Sequence, residues 1–235
     1  MKGRSILAAL AACMALLAAP AQAYLFSAVY AFGDSLIPPL PPDPPYADGR
    51  FSNGPVAAER LAQGLGVLLH SYAVGGAMSG TGNADDSSSS SGELAQVDAF
   101  KTNPGCNCAD ASALYMVLGG SNDFLVALST LPSLATDAEI ESVMTIAAQD
   151  VLTNMVEAVT ELYTAGARQF LLPLIPDIGA APAVGDAVVS AAVLGFNGLL
   201  ADTYRAVLSS LPGLSYTIFD TFAAQQALVD DSANN

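Results

Sequence analysis

The 235-residue chain carries 7 basic and 22 acidic residues, a formal charge of −15, with 52% hydrophobic residues, one histidine and three cysteines. So negative a surface repels phosphate backbones and anionic lipid, which argues against nucleic-acid binding. The apolar content excludes disorder along the whole chain, and the length suits one domain with a sizeable core.

The N-terminus places Lys2 and Arg4 before an apolar run from Ile6 to Ala19, followed by Pro20-Ala21-Gln22-Ala23. That is the three-part pattern of a secretory signal peptide over 1–23, with a mature chain from Tyr24. The run of 14 residues falls short of the ~20 a spanning helix needs, so no transmembrane segment is expected in the mature chain. Leu10-Ala11-Ala12-Cys13 also resembles a lipoprotein cleavage box, but it lies early with apolar residues after it, which favours ordinary cleavage. Export leaves five basic residues against 22 acidic ones, a formal charge of −17, in an extracellular or periplasmic setting.

Five apolar runs then recur, each closed by a polar or glycine break: Ala28–Phe32, Ser71–Val74, Ala113–Leu118, Gln169–Leu174 and Ser215–Phe219. They read as buried strands. Pro55–Leu65, Asp137–Ala165 and Asp186–Leu211 carry helical spacing; the second is expected to start at Asp137 as N-cap and stop at Gly166. Strands alternating with helices predict an α/β fold with a five-stranded parallel sheet, as a single domain over 24–235. Six prolines in Pro38–Pro45 predict an extended loop, and the serine run within Asn83–Gly92 predicts a solvated one. Cys106 and Cys108 sit one residue apart, too close for an unstrained ring, and no metal site or cofactor follows from them.

Chemistry concentrates where the first three strands end. Val29-Tyr30-Ala31-Phe32 runs into Gly33-Asp34-Ser35-Leu36, the second strand leads to Val74-Gly75-Gly76-Ala77, and the third to Gly119-Gly120-Ser121-Asn122-Asp123. In a parallel sheet these ends converge on one rim, where open α/β sheets build their sites. Acyl transfer needs a nucleophile and donors aimed at the developing oxyanion. Ser35 supplies a hydroxyl, Gly76 and Ser35 backbone N–H groups, and Asn122 a side-chain amide. Asp123 is expected to hold its loop by hydrogen bonds.

The ordered set of Gly-Asp-Ser-Leu, Gly-Arg-Phe-Ser-Asn-Gly-Pro (residues 49–55), Tyr-Ala-Val-Gly-Gly-Ala (72–77) and Gly-Gly-Ser-Asn-Asp (119–123) resembles the GDSL-type lipase/esterases of the SGNH hydrolase superfamily, in their secreted bacterial branch. The resemblance covers nearly the whole mature chain. It implies a flavodoxin-like three-layer α/β/α sandwich and cofactor-free serine ester hydrolysis. Ser35 takes the nucleophile position, Gly76 and Asn122 the oxyanion positions, and the substrate is a small-molecule, lipid or acylated-carbohydrate ester. Three departures stand out: Ile37-Pro38-Pro39 replaces the usual continuation of the first motif, Ser71 stands where asparagine is common, and the family's closing Asp-x-x-His block is absent before Asn235. A domain cut short at its C-terminus is therefore expected. His70 lies at the entry of the second strand, roughly 20 Å from its catalytic end, and Asp220 is expected to be structural. Without a histidine base, the alternative is a pseudoenzyme that binds acyl or glycan groups on the same fold.

Overall fold

The structure is a computed structural model that describes residues 25–37, 50–85, 90–103 and 109–234. The expected signal peptide, the proline loop and Cys106 and Cys108 lie outside the described residues. Five strands form one sheet: β1 (Ala28–Gly33), β2 (Leu68–Ser71), β3 (Leu114–Leu118), β4 (Gln169–Pro173) and β5 (Ser215–Phe219). All pairings are parallel, in the order β2-β1-β3-β4-β5. This is the doubly wound, flavodoxin-like order, which reverses direction beside β1, the position at which open α/β sheets build their sites.

Period-two alternation divides the strands between two faces. On one face, Tyr30, Phe32, Tyr115, Val117, Phe170 and Leu172 meet α2 (Glu93–Thr102), α4 (Asp137–Ala165) and α5 (Ala187–Leu208) in the main core. Here α2 drops Phe100 edge-on among Tyr30, Phe32, Tyr72 and Tyr115, at centroid distances of 5.3 to 6.0 Å. Burying such a ring contributes about 1.5–3 kcal/mol. On the other face, Val29, Ala31, Leu114 and Met116 pack with Ala58 and Ala62 of α1 (Ala57–Leu65). Towards β5 that face thins out, leaving Ser215, Thr217 and Phe219 exposed. Helix α5 is the one described helix long and apolar enough to cross a membrane, by length and composition only. Its Val189, Val193, Phe196, Leu200 and Tyr204 are buried in the core, as in a core helix of a folded domain.

Several boundaries depart from the sequence reading. β2 lies at Leu68–Ser71 rather than Ser71–Val74. Its continuation stays beside β1 through the Tyr72 N–H to Ala31 O (2.8 Å) and Val74 N–H to Gly33 O (3.1 Å) bonds, but turns there onto the rim. The N-cap of α4 is Thr136, not Asp137. The Thr136 hydroxyl accepts the Glu139 N–H while the Glu139 carboxylate accepts the Thr136 N–H, a reciprocal capping box. Helix α2, α3 (Ser121–Ser129) and α6 (Thr221–Asn234) have no counterpart among the predicted helices. In α2 the reason is chemical: its buried face includes Glu93 and Gln96, so the apolar period is broken.

Candidate active site

The sheet register brings the three predicted positions to one rim. Gly33, the last residue of β1, pairs with Leu118, the last residue of β3. Ser35 therefore follows β1 by two residues while Gly119-Gly120 leads from β3 into α3, whose second residue is Asn122. The exit of β2 reaches the same level through Val74, bonded to Gly33 O, and Gly76 comes two residues later.

The Ser35 turn is closed locally. Asp34 Oδ1 accepts the Leu36 N–H at 2.9 Å, and the Asp34 carbonyl accepts the Ile37 N–H at 3.1 Å. Asp34 and Ile37 are buried, whereas Ser35 is half-buried and its hydroxyl and N–H have no partner among the described residues. Gly76 adopts φ +76°, a left-handed conformation that glycine reaches without strain. A Cβ there would also run into Asn83 Oδ1. The buried Asn83 side chain donates to the Gly75 carbonyl at 2.9 Å and fixes this loop, while the Gly76 N–H is unclaimed among the described residues. Asn122 Nδ2 donates to the Ala77 carbonyl at 2.9 Å. One amide hydrogen thus ties Asn122 to the residue after Gly76, and the second stays available. Three N–H groups, on Ser35, Gly76 and Asn122, have no partner among the described residues at one rim.

Carboxyl groups sit beneath this arrangement. Asp123 accepts the Ser79 N–H at 2.8 Å and the Ser79 hydroxyl at 2.7 Å, so it holds its loop as expected from the sequence. Burial pushes its carboxyl up against the effect of those bonds. Burial also raises Asp34 to about 6, with the Leu36 N–H working against the rise and the charge of Asp123 adding to it. Glu93 is as buried as Asp34, and neither of its carboxylate oxygens has a hydrogen-bond partner among the described residues. Burial, then the charges of Asp34 and Asp123, drive it well above the ordinary range.

Elsewhere the sequence expectations divide. His70 pairs in register with Tyr30 and stacks on its ring at 4.8 Å, exposed on the edge strand. Tyr30 lies five positions before Ser35, so the imidazole stands roughly 15 Å down the strand from the rim. Asp220 accepts the Ala223 N–H at 2.9 Å and caps α6, the structural role expected of it. In the Gly-Arg-Phe-Ser-Asn-Gly-Pro stretch, Arg50 grips Glu59 with two bonds of 2.8 and 2.9 Å. Glu59 in turn accepts the Val56 N–H at the start of α1, so Arg50 organises a helix entry. Phe51 lays its ring against Gly75, where a Cβ would come within 2.5 Å of Phe51 Cε2.

Two side chains escaped the sequence reading. Asn83 falls in the stretch whose composition predicts a solvated loop, yet it is buried against the Gly75-Gly76 turn. Gln96 is buried on α2 and bonds to both main-chain groups of Gly33, the residue two before Ser35. The loop composition and the unpredicted helix hid them; the Gly-Gly pair facing Asn83 was the available signal.

A parallel, doubly wound sheet with a serine turn at its switch point and unengaged N–H groups around it defines an α/β protein of the SGNH-like class. The chain belongs to the GDSL-like Lipase/Acylhydrolase family, whose model matches residues 29–233. It is 27% identical over 194 residues to the thermolabile hemolysin of Vibrio parahaemolyticus, covering 77% of this chain and 40% of that protein. The chain thus spans about two fifths of the length of that curated relative. A crystal structure of a member of the lipolytic protein G-D-S-L family from Veillonella parvula superposes with a TM-score of 0.53 at 13% identity, over 86% of this chain and 82% of the other. That likeness is one of fold.

Proposed function

We propose that the protein is an exported serine ester hydrolase in which Ser35 is the nucleophile and Gly76 and Asn122 are oxyanion donors. The observation that carries this reading is the bond from Asn122 Nδ2 to the carbonyl of Ala77, which joins two donor-bearing loops beside the Ser35 turn. The Ser35 oxygen attacks the ester carbonyl, giving up its proton to a base as the new C–O bond forms. The carbonyl oxygen takes the negative charge, facing the Gly76 N–H and the free Asn122 N–H. Collapse expels the alcohol, which recovers the proton, and water then releases the acid by the same route. The leader over 1–23 underlies the proposed export.

One observation favours a second reading, an acyl-binding protein without turnover: the one histidine of the chain, His70, stands away from the rim. Both readings meet in one experiment. Hydrolysis of p-nitrophenyl butyrate is followed for the chain and for Ser35→Ala, each with and without added imidazole as a diffusible base. The enzyme reading expects a rate above Ser35→Ala that imidazole increases. Equal rates for both proteins under all conditions would sink the nucleophile assignment and leave the binding reading, to be read by calorimetry with butyrate.

A further inference from the structure

Helix α2 touches each of the three turns that make up the rim. Its Gln96 side chain accepts the Gly33 N–H at 2.8 Å and donates to the Gly33 carbonyl at 2.8 Å and to the Ser91 carbonyl at 2.9 Å. Gly33 also takes the Val74 N–H, so this one residue joins the Ser35 turn to the chain entering Gly76. At its N-terminus, α2 gives the Glu93 N–H to Met78 O and the Leu94 N–H to Gly80 O, at 2.9 and 3.0 Å, in the loop that follows Gly76. Its Glu93 carboxylate fills the space where a Cβ on Gly119 would lie, against the turn that leads to Asn122. Phe100, one turn beyond Gln96, locks the helix into the aromatic core.

From this we infer that Gln96 is a positioning residue: through α2 it sets the distance and direction between Ser35 and the donors of Gly76 and Asn122. The inference rests on the proposed esterase reading for its catalytic consequence, but the geometry stands apart from it. A primary amide suits the task because it donates and accepts at once, matching the N–H and C=O of one residue. Gly33 is buried, and among the described residues its N–H is claimed by Gln96 alone, while its carbonyl is shared between Gln96 and the Val74 N–H. A displacement near 1 Å of a reacting group is enough to cost about 100-fold in rate.

The test has two arms on wild type, Gln96→Leu and Gln96→Glu, with folding checked by thermal melting. In the kinetic arm, Ser35-dependent hydrolysis of p-nitrophenyl butyrate with imidazole is expected to lose about 100-fold in kcat for Gln96→Leu, with KM within a few-fold. Loss confined to KM, or kcat unchanged in a folded variant, overturns the inference. In the structural arm, amide NMR signals of Ser35, Gly76 and Asn122 are compared. Gln96→Leu is expected to shift all three. Gln96→Glu is expected to return them towards wild type near pH 5, where a neutral carboxylic acid can donate as well as accept, and to shift them near pH 8. The neighbouring carboxyls of Glu93 and Asp34 favour the neutral form of that new acid. Unmoved signals in Gln96→Leu overturn the inference whether or not the wild type hydrolyses esters, and equal rates for wild type and Ser35→Ala with moved signals fault only the esterase reading.

Discussion

Strands β1 and β3 end level with each other, Gly33 beside Leu118, yet the turns that follow them are held by different chemistry. After β1, a neutral amide from Gln96 fastens Gly33, while Asp34 keeps one local bond and sits buried next to Ser35. After β3, a carboxylate does the fastening: Asp123 takes two bonds from Ser79, and Asn122 reaches across to Ala77. The β1 turn thus carries a charge whose burial is poorly compensated, and the β3 turn carries one that is better bonded. The Ser35 turn holds a carboxyl with one local bond against its burial, whereas at the Asn122 turn two bonds from Ser79 offset part of the burial that still raises Asp123.

The largest effect should come from the donor itself. Asn122→Ala removes the side-chain N–H left open at the rim and the link to Ala77. Under the proposed function, Ser35-dependent kcat should fall by about 10²–10³, some 3–4 kcal/mol of barrier, with KM much less affected. Steady-state kinetics against the Ser35→Ala background checks it. A change in KM alone would move Asn122 from oxyanion stabilisation to ground-state binding.

The next effect separates the two turns by pH. Asp34 is raised from 3.8 to about 6 mainly by burial, so its neutral form is the one the fold favours. Its contribution to stability is whole below 3.8 and is lost as pH rises through about 6, a difference of about 3 kcal/mol once complete. Glu93 and Asp123 are displaced in the same direction, so they add to the loss as pH rises. Asp34→Asn keeps an acceptor for the Leu36 N–H without a charge to bury. Urea unfolding near pH 4.5 and pH 7.5 should therefore show wild type losing about 2 kcal/mol more than Asp34→Asn across that window. Parallel losses in the two proteins would place the buried charge elsewhere.

How far this was readable from the sequence follows from what each residue announces. Strand ends with glycine and polar residues after apolar runs mark the rim, so the sequence alone gathers Ser35, Gly76 and Asn122 on one side of an α/β sheet. The parallel α/β sheet followed from the alternation of strands and helices and the long helix Asp137–Ala165 from its periodicity, whereas the flavodoxin-like arrangement came only with the family resemblance. Gln96 and Asn83 could not be found so, because a polar residue in a polar stretch looks solvated until a partner is found for it. The helix around Gln96 buries Glu93 and Gln96 alongside Val97 and Phe100, which blurs the very period used to detect helices. Thr136 lost its place to Asp137 for a related reason: both residue types cap helices, and the Glu139 side chain decides between them only through a reciprocal bond.

The smallest predicted effect tests the bonded side of the comparison. Ser79 is fully buried, and its hydroxyl donates to Asp123 while accepting from Asn154 Nδ2 at 3.0 Å. Ser79→Ala leaves the backbone N–H of residue 79 on Asp123 but removes the hydroxyl bond from both partners. Loss of these two bonds, with the backbone N–H still on Asp123, costs about 1–3 kcal/mol of unfolding free energy. The hydroxyl also holds the Asp123 carboxyl down, so its removal moves that carboxyl higher and makes the variant's stability fall more steeply towards alkaline pH than wild type's. Asn122 keeps its own bond to Ala77, so any Ser35-dependent kcat should change far less than in Asn122→Ala. Denaturation curves at two pH values together with kcat separate these terms. A Ser79→Ala protein as stable as wild type at both pH values would show that Asp123 needs only the backbone N–H, and that the two turns are held more alike than their bonds suggest.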